Sequence, residues 1–160
     1  MTKPILIRKK IKPFKKTIQI DGDKSLSIRW ALLASQAKGK SRAYNILKSH
    51  DVMSTLNCLK KLGVKIILKK KYCEIESSGL NSFSNKKNLT LNAGNSGTLG
   101  RLIIGLLVHY KNRVKIIGDK SLSKRDFSRV IIPLKKFGAS FTHKKKCGLP
   151  VTVTGLKDSK

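Results

Sequence analysis

Two copies of the hexapeptide GDKSLS, at residues 22–27 and 118–123, place a lysine and two serines close to an arginine. One residue separates each copy from its arginine, which is Arg29 in the first copy and Arg125 in the second. Lysine supplies a compact positive charge and arginine a planar fork of donors, so both suit phosphate and carboxylate groups. The repeated pattern therefore indicates anion binding.

A third loop of small residues, NAGNSGTLG at 92–100, leads directly into Arg101. Each of the three loops (21–27, 92–100 and 118–124) is predicted to precede a helix, where unpaired backbone N–H groups and the helix dipole attract anions. A serine or threonine at a helix start more often serves only as a cap. Three such loops, each with a cation close by, favour a ligand that carries several anionic groups.

The overall charge points to anionic partners of some kind. The chain has 36 Lys+Arg against 8 Asp+Glu, which gives a formal net charge of +28. Nucleic acid, anionic lipid and phosphorylated metabolites are all compatible with such an excess. Lysines are spread along the whole chain, whereas four of the seven arginines lie in or beside the three loops, so the arginines carry more information about a site.

The cysteines and histidines do not indicate a metal site or a cofactor. Cys58, Cys73 and Cys147 are widely spaced and odd in number, which fits a reducing compartment better than a disulfide framework. The longest apolar stretch, residues 102–108, is too short to span a bilayer. We therefore expect a cytoplasmic protein that has no membrane partner, no metal and no cofactor.

A longer internal repeat organises the chain. The segment DVMSTLNCLKKLGVKI at 51–66 is similar to DFSRVIIPLKKFGASF at 126–141, and in both an Asp is predicted to start an amphipathic helix that ends at a Gly. A small-residue loop, an apolar helix and a basic strand precede each segment. We predict an α/β (α+β) fold with two copies of a βαβαββ unit, at about 17–78 and 88–155, with strands at 17–20, 72–75 and 150–154.

Three segments in this order resemble the N-terminal portion of the 5-enolpyruvylshikimate-3-phosphate (EPSP) synthase family: GDKSLSIRWALLASQAKGKS, LNAGNSGTLGRLIIGLL and GDKSLSKRDFSRVIIPLKKFGA. The resemblance implies the enolpyruvyl transferase fold, an inside-out α/β barrel with three βαβαββ units in each of two domains. It also implies transfer of the enolpyruvyl group of phosphoenolpyruvate to shikimate 3-phosphate, which releases phosphate, in the biosynthesis of chorismate and aromatic amino acids. Both substrates are small anions, and the family enzyme is expected to be monomeric.

The resemblance assigns roles to particular positions of this chain. Shikimate 3-phosphate would contact Lys24, Ser25 and Arg29. Phosphoenolpyruvate would contact Lys24, Gly97 and Arg125, and two further residues, Asn95 and Arg101, would support the site.

Two departures from the family pattern bear on activity. Asp126 stands where family members commonly have a proline, which places a carboxylate near the expected anion site. The family enzyme is also more than twice as long, and its C-terminal domain supplies the acids for proton transfer. We therefore expect an N-terminal fragment, a partial N-terminal domain with no convincing catalytic residue, that is inactive alone.

Two alternatives to this assignment differ in kind. One is the related UDP-N-acetylglucosamine enolpyruvyl transferase, in which an asparagine typically follows the lysine at the position of Ser25. The other is a small basic protein that binds nucleic acid, which the net charge favours. Against this alternative, the sequence has no zinc-finger spacing and only 6% aromatic residues.

Overall fold

The computed structural model describes residue 15 and residues 20–80, 82–84, 86–110, 112–143 and 147–155. In chain order the elements are α1 (Lys24–Ala34), β1 (Lys38–Tyr44), α2 (His50–Lys61), β2 (Lys65–Leu68), β3 (Tyr72–Ser78), β4 (Leu89–Asn92), α3 (Gly97–Leu107), β5 (Val114–Ile117), a 3₁₀ turn (Leu122–Lys124), α4 (Ser128–Lys136), β6 (Ser140–His143) and β7 (Val151–Thr154). None of the helices among these residues has the length and apolar composition needed to cross a bilayer.

The strands form two sheets that share one order of connection. The first sheet has the order β1-β3-β2, and the second has the order β4-β5-β7-β6. If β5, β6 and β7 take the places of β1, β2 and β3, the two orders are the same, and all of these pairings are antiparallel. The strand β4 adds a parallel pairing to β5, and α3 forms the crossover between them. The repeated α/β units predicted from the sequence are therefore present in the fold.

Most predicted strands agree with the structure. The predicted strands at 72–75 and 150–154 correspond to β3 and β7. The strand predicted at 17–20 lies outside the described residues except for Ile20. The two helix-ending glycines, Gly63 and Gly138, have φ values of +92° and +91°, a conformation that a residue with a Cβ rarely adopts.

The predicted starts of two helices are wrong by a few residues. Ser49, not Asp51, caps α2, because its side chain accepts a hydrogen bond from the Val52 N–H, and Asp51 lies within the first turn. Helix α4 begins at Ser128, and Asp126 precedes it with its carboxylate bound to the Ser128 N–H. In both places an acidic residue near the positive end of the helix is stabilised without being the cap.

The prediction that the third loop, at 118–124, directly precedes a helix is only partly correct. Its residues do not lead straight into an α-helix but form the 3₁₀ turn, and Arg125 then adopts an extended conformation before α4 begins.

One apolar core joins the two units. Helix α1 packs against both α2 and α3, and its inner residues Ile28 and Ala31 are fully buried. Phe127, also fully buried, lies between the 3₁₀ turn and α4. Because these helices share one core, the loops at their starts are fixed relative to one another.

Candidate anion-binding site

The loop before α3 is held by its own side chains. The Asn92 Oδ1 atom accepts a hydrogen bond from the Gly94 N–H at 2.9 Å, and Gly94 has a φ of +58°. The fully buried Ser96 caps α3 by accepting from the Leu99 N–H at 3.3 Å. Gly97 is thus the first residue of α3, at the positive end of the helix dipole.

Two guanidinium groups lie directly against Gly97. A Cβ atom added at this glycine would be 2.8 Å from Nη1 of Arg125 and 3.0 Å from Nη1 of Arg101. Both distances are shorter than an ordinary van der Waals contact, so a larger residue at this position would displace the two groups. The absence of a side chain at Gly97 therefore lets two cations meet the start of α3.

Arg125 is hydrogen-bonded to Asn95 in the loop before α3, and Asn95 is in turn hydrogen-bonded to Asp119. Its Nη2 donates to Oδ1 of Asn95 at 3.3 Å, and Nδ2 of Asn95 donates to Oδ2 of Asp119 at 2.6 Å. The other Asp119 oxygen accepts from the Leu122 N–H at 2.7 Å. The Leu122 N–H and the Asn95 side chain together hold the pKa of Asp119 below its ordinary value, so this carboxylate is charged at neutral pH.

Arg101 is anchored to the backbone around the same point. Its Nη1 lies 3.5 Å from the Gly97 carbonyl oxygen, its Nη2 donates to the Asp126 carbonyl at 3.2 Å, and its guanidinium lies 5.2 Å from the ring centre of Phe127. A cation above an aromatic face is attracted by the ring quadrupole. Arg101 therefore ties α3 to the segment that follows Arg125.

The carboxylate of Asp126 accepts two hydrogen bonds from Ser128, the first residue of α4. It accepts from the Ser128 N–H at 2.8 Å and from the Ser128 hydroxyl. The hydroxyl of Ser128, with its backbone N–H, lowers the pKa of Asp126. The negative charge that the sequence places near the site is thus bound to α4.

Lys24 is paired with an acid on the neighbouring helix. Its Nζ lies 3.1 Å from Oδ2 of Asp51, and the side chains of Lys24 and Asp51 are 50% and 19% exposed. Ser25 and Arg29 are four residues apart on α1 and therefore share a face of that helix. The described hydrogen bonds do not join these two residues to the cluster around Gly97.

The start of α2 links Lys24 to that cluster. Asp51 and Ser54 are three residues apart on α2 and so lie on one face of it. A Cβ atom added at Gly94 would be 3.0 Å from Oγ of Ser54, which places Ser54 against the loop before α3. The structure thus brings Asn95, Gly97, Arg101 and Arg125 together directly and connects Lys24 to them through one helical turn.

An open cleft extends the cationic surface beside Arg125. It has a volume of about 560 Å³ and is lined by Asp119, Lys120, Ser121, Lys124 and Arg125. Three of these five residues are cations, whereas Asp119 is bound to its neighbours, so the cleft suits an anion.

Asp51, Ser54 and Asp119 are not among the site residues predicted from the sequence. Asp51 is predicted only to start a helix, and no pattern in the sequence marks Ser54. One signal could have identified Asp119: only 8 of the 160 residues are acidic, and Asp119 lies within a repeated motif. An acid that lies so close to the motif cations is a reasonable candidate for their partner.

Comparisons with known proteins show the family of this chain. The family model described as EPSP synthase (3-phosphoshikimate 1-carboxyvinyltransferase) matches residues 8–160. A 3-phosphoshikimate 1-carboxyvinyltransferase of Streptococcus pyogenes serotype M1 is 44% identical over 88% of this chain and 32% of its own length. The solved EPSP synthase from Acinetobacter baumannii is 33% identical, with a TM-score of 0.81 over 86% of this chain and 32% of that one. This chain therefore spans about one third of the length of these relatives, and it belongs to the EPSP synthase family.

Proposed function

We propose that this chain carries part of the substrate site of a 3-phosphoshikimate 1-carboxyvinyltransferase, within a partial N-terminal domain. The reaction would transfer the enolpyruvyl group of phosphoenolpyruvate to shikimate 3-phosphate, giving 5-enolpyruvylshikimate 3-phosphate and phosphate. This step belongs to the biosynthesis of chorismate and aromatic amino acids in the cytoplasm.

The observation that carries the proposal is the contact of Arg125 and Arg101 with Gly97 at the start of α3. Each substrate bears a phosphate and a carboxylate, so two substrates bound side by side would repel each other strongly without nearby cations. Arg125 would bind phosphoenolpyruvate beside Gly97. Lys24 would lie between the two substrates, and Ser25 and Arg29 would bind shikimate 3-phosphate from the exposed face of α1.

The same geometry supports the expectation that the isolated chain does not turn over. A general acid needs a proton to give and must reach the reacting atoms. Asp51 is paired with Lys24, whereas Asp119 and Asp126 accept hydrogen bonds that lower their pKa. We expect the 160-residue chain to bind substrates weakly and to release no phosphate above background.

Binding of phosphoenolpyruvate and shikimate 3-phosphate, measured by calorimetry, tests the proposal. Lys24→Ala should weaken binding of both substrates, and Arg125→Ala should weaken phosphoenolpyruvate binding. Lys135→Ala serves as the control, because it removes one exposed cation from the far end of α4. Equal effects of all three substitutions would show that only general charge matters and would refute the proposal.

A parallel titration with duplex DNA distinguishes binding at the proposed site from binding that arises from net charge alone. DNA affinity that arises from net charge falls steeply with salt and does not depend on any single lysine. Tight DNA binding combined with no detectable binding of either metabolite would refute the proposed substrate site.

A further inference from the structure

The two GDKSLS copies share one hydrogen bond of the aspartate but differ in what else its carboxylate contacts. In each, the aspartate accepts from the backbone N–H three residues later at 2.7 Å, Asp23 from Leu26 and Asp119 from Leu122. Among the described residues, the carboxylate of Asp23 accepts only this hydrogen bond. Asp119 uses its second oxygen to accept from Asn95 at 2.6 Å. The second copy thus makes a contact that closing the turn does not require.

We propose that Asp119 is a positioning residue that orients the Arg125 guanidinium through Asn95. The inference rests on the proposed function, in which Arg125 binds phosphoenolpyruvate. It assigns to Asp119 a role beyond the cap that it provides for the 3₁₀ turn.

We call the two hydrogen bonds from Arg125 to Asn95 and from Asn95 to Asp119 the relay. The chemistry of these three side chains fixes the direction of both bonds. An ionised carboxylate only accepts hydrogen bonds, and a guanidinium only donates them. The Asn95 amide lies between them, so its NH₂ group must face Asp119 and its oxygen must face Arg125. The lowered pKa of Asp119 keeps the carboxylate ionised and thus keeps this orientation at neutral pH.

A backbone contact makes the same residue a clamp between two loops. The Asp119 N–H donates to the Gly94 carbonyl at 2.8 Å, next to Asn95. The loop that carries Arg125 and the loop that opens α3 are therefore held together by both the main chain and the side chain of Asp119. A guanidinium held by such contacts loses less freedom when it binds an anion.

The substitution Asp119→Asn separates positioning from capping. Asparagine is about as good a cap as aspartate, so its oxygen keeps the hydrogen bond from Leu122. Its NH₂ group, however, faces the NH₂ group of Asn95. If Asn95 rotates to accept that hydrogen bond, it presents a donor to the guanidinium of Arg125, which is also a donor. The 3₁₀ turn should therefore keep its hydrogen bond to residue 119, whereas the hydrogen bond between Asn95 and Arg125 should be lost.

Phosphoenolpyruvate binding and thermal unfolding of the chain test this. Asp119→Asn should raise the phosphoenolpyruvate Kd about three- to tenfold, the range expected for one lost hydrogen bond. Its unfolding midpoint should change no more than that of Asp23→Asn, which alters the matching cap in the first hexapeptide. Glu76→Gln removes the same charge from β3, where Glu76 pairs with Lys65, and should leave the Kd unchanged.

A second measurement tests the relay without any ligand. In the free chain, the Nε–Hε signal of Arg125, assigned with Arg125→Lys, should shift and show greater mobility in Asp119→Asn but not in Glu76→Gln. If the wild-type chain fails to bind phosphoenolpyruvate while this change occurs, the proposed function fails and the positioning role stands. An unchanged Arg125 signal in Asp119→Asn, or a Kd no different from that of Glu76→Gln in a chain that binds, would overturn the inference.

Discussion

Replacing Gly97 by alanine should weaken phosphoenolpyruvate binding without destabilising the fold. The added methyl group would begin 2.8 Å from Nη1 of Arg125 and 3.0 Å from Nη1 of Arg101, where ordinary contact begins at 3.4 Å. The two guanidinium groups would therefore have to move by about 0.6 and about 0.4 Å, which is cheap for the ends of flexible side chains. Because the displaced guanidinium groups would no longer meet the ligand at the start of α3, we expect the phosphoenolpyruvate Kd to rise about tenfold, the upper range for one lost hydrogen bond.

The thermal stability of Gly97→Ala, unlike its affinity for phosphoenolpyruvate, should not fall. Gly97 is the first residue of α3, and alanine is favoured over glycine in a helix by up to about 1 kcal/mol, so the unfolding midpoint should rise or stay level. Gly105→Ala is the matched control, because it lies in the same helix and a Cβ there meets no atom within 4 Å. Calorimetric binding and thermal unfolding of both variants give the answer. A Gly97→Ala chain that binds as tightly as Gly105→Ala would refute the assignment of Arg125 to this ligand.

Three further predictions concern the core and the titrating groups. Phe127→Ala should lower the free energy of unfolding by about 3 to 5 kcal/mol in urea titrations, because it empties a fully buried site; a loss below about 1 kcal/mol would contradict the packing. Burial raises the pKa of the Cys58 thiol to about 11, so at pH 8 iodoacetamide should modify the half-buried Cys147 before Cys58. Peptide mapping would show the order, and modification of Cys58 before Cys147 would contradict its burial. The lowered pKa of Asp126 adds stability at neutral pH that is lost as the pH falls through and below the ordinary value of 3.8. Asp126→Asn should therefore flatten the acid side of the stability curve, and an unchanged acid limb would contradict the bond to Ser128.

The sequence carried enough information for the repeated fold because its signals are local. Gly63 and Gly138 end α2 and α4 in the same left-handed conformation, and the matched segments before them lead to sheets with the same order. The motif residues Gly97 and Arg125 were assigned by resemblance, and their contact in the structure is consistent with a shared site.

The remaining features depend on contacts between elements, which spacing along the chain does not reveal. Asp51 reads as the start of a helix, yet Ser49 is the cap and Asp51 pairs with Lys24 on another helix. The contact of Asp119 with Asn95 joins residues 24 positions apart and requires both loops to be folded. The predicted starts of α2 and α4 are wrong for a related reason, since Ser49 caps α2 and the fully buried Phe127 is the residue before α4.

The most direct test of the central claim is a map of backbone amide shifts in the ¹⁵N-labelled chain, titrated with phosphoenolpyruvate and shikimate 3-phosphate together. Convergence of the three loops on one site predicts saturable shifts at residues 21–29, 92–101 and 118–125, with a common Kd. Shifts scattered over the lysine-rich surface, or confined to one loop while the other two stay silent at saturation, would contradict it.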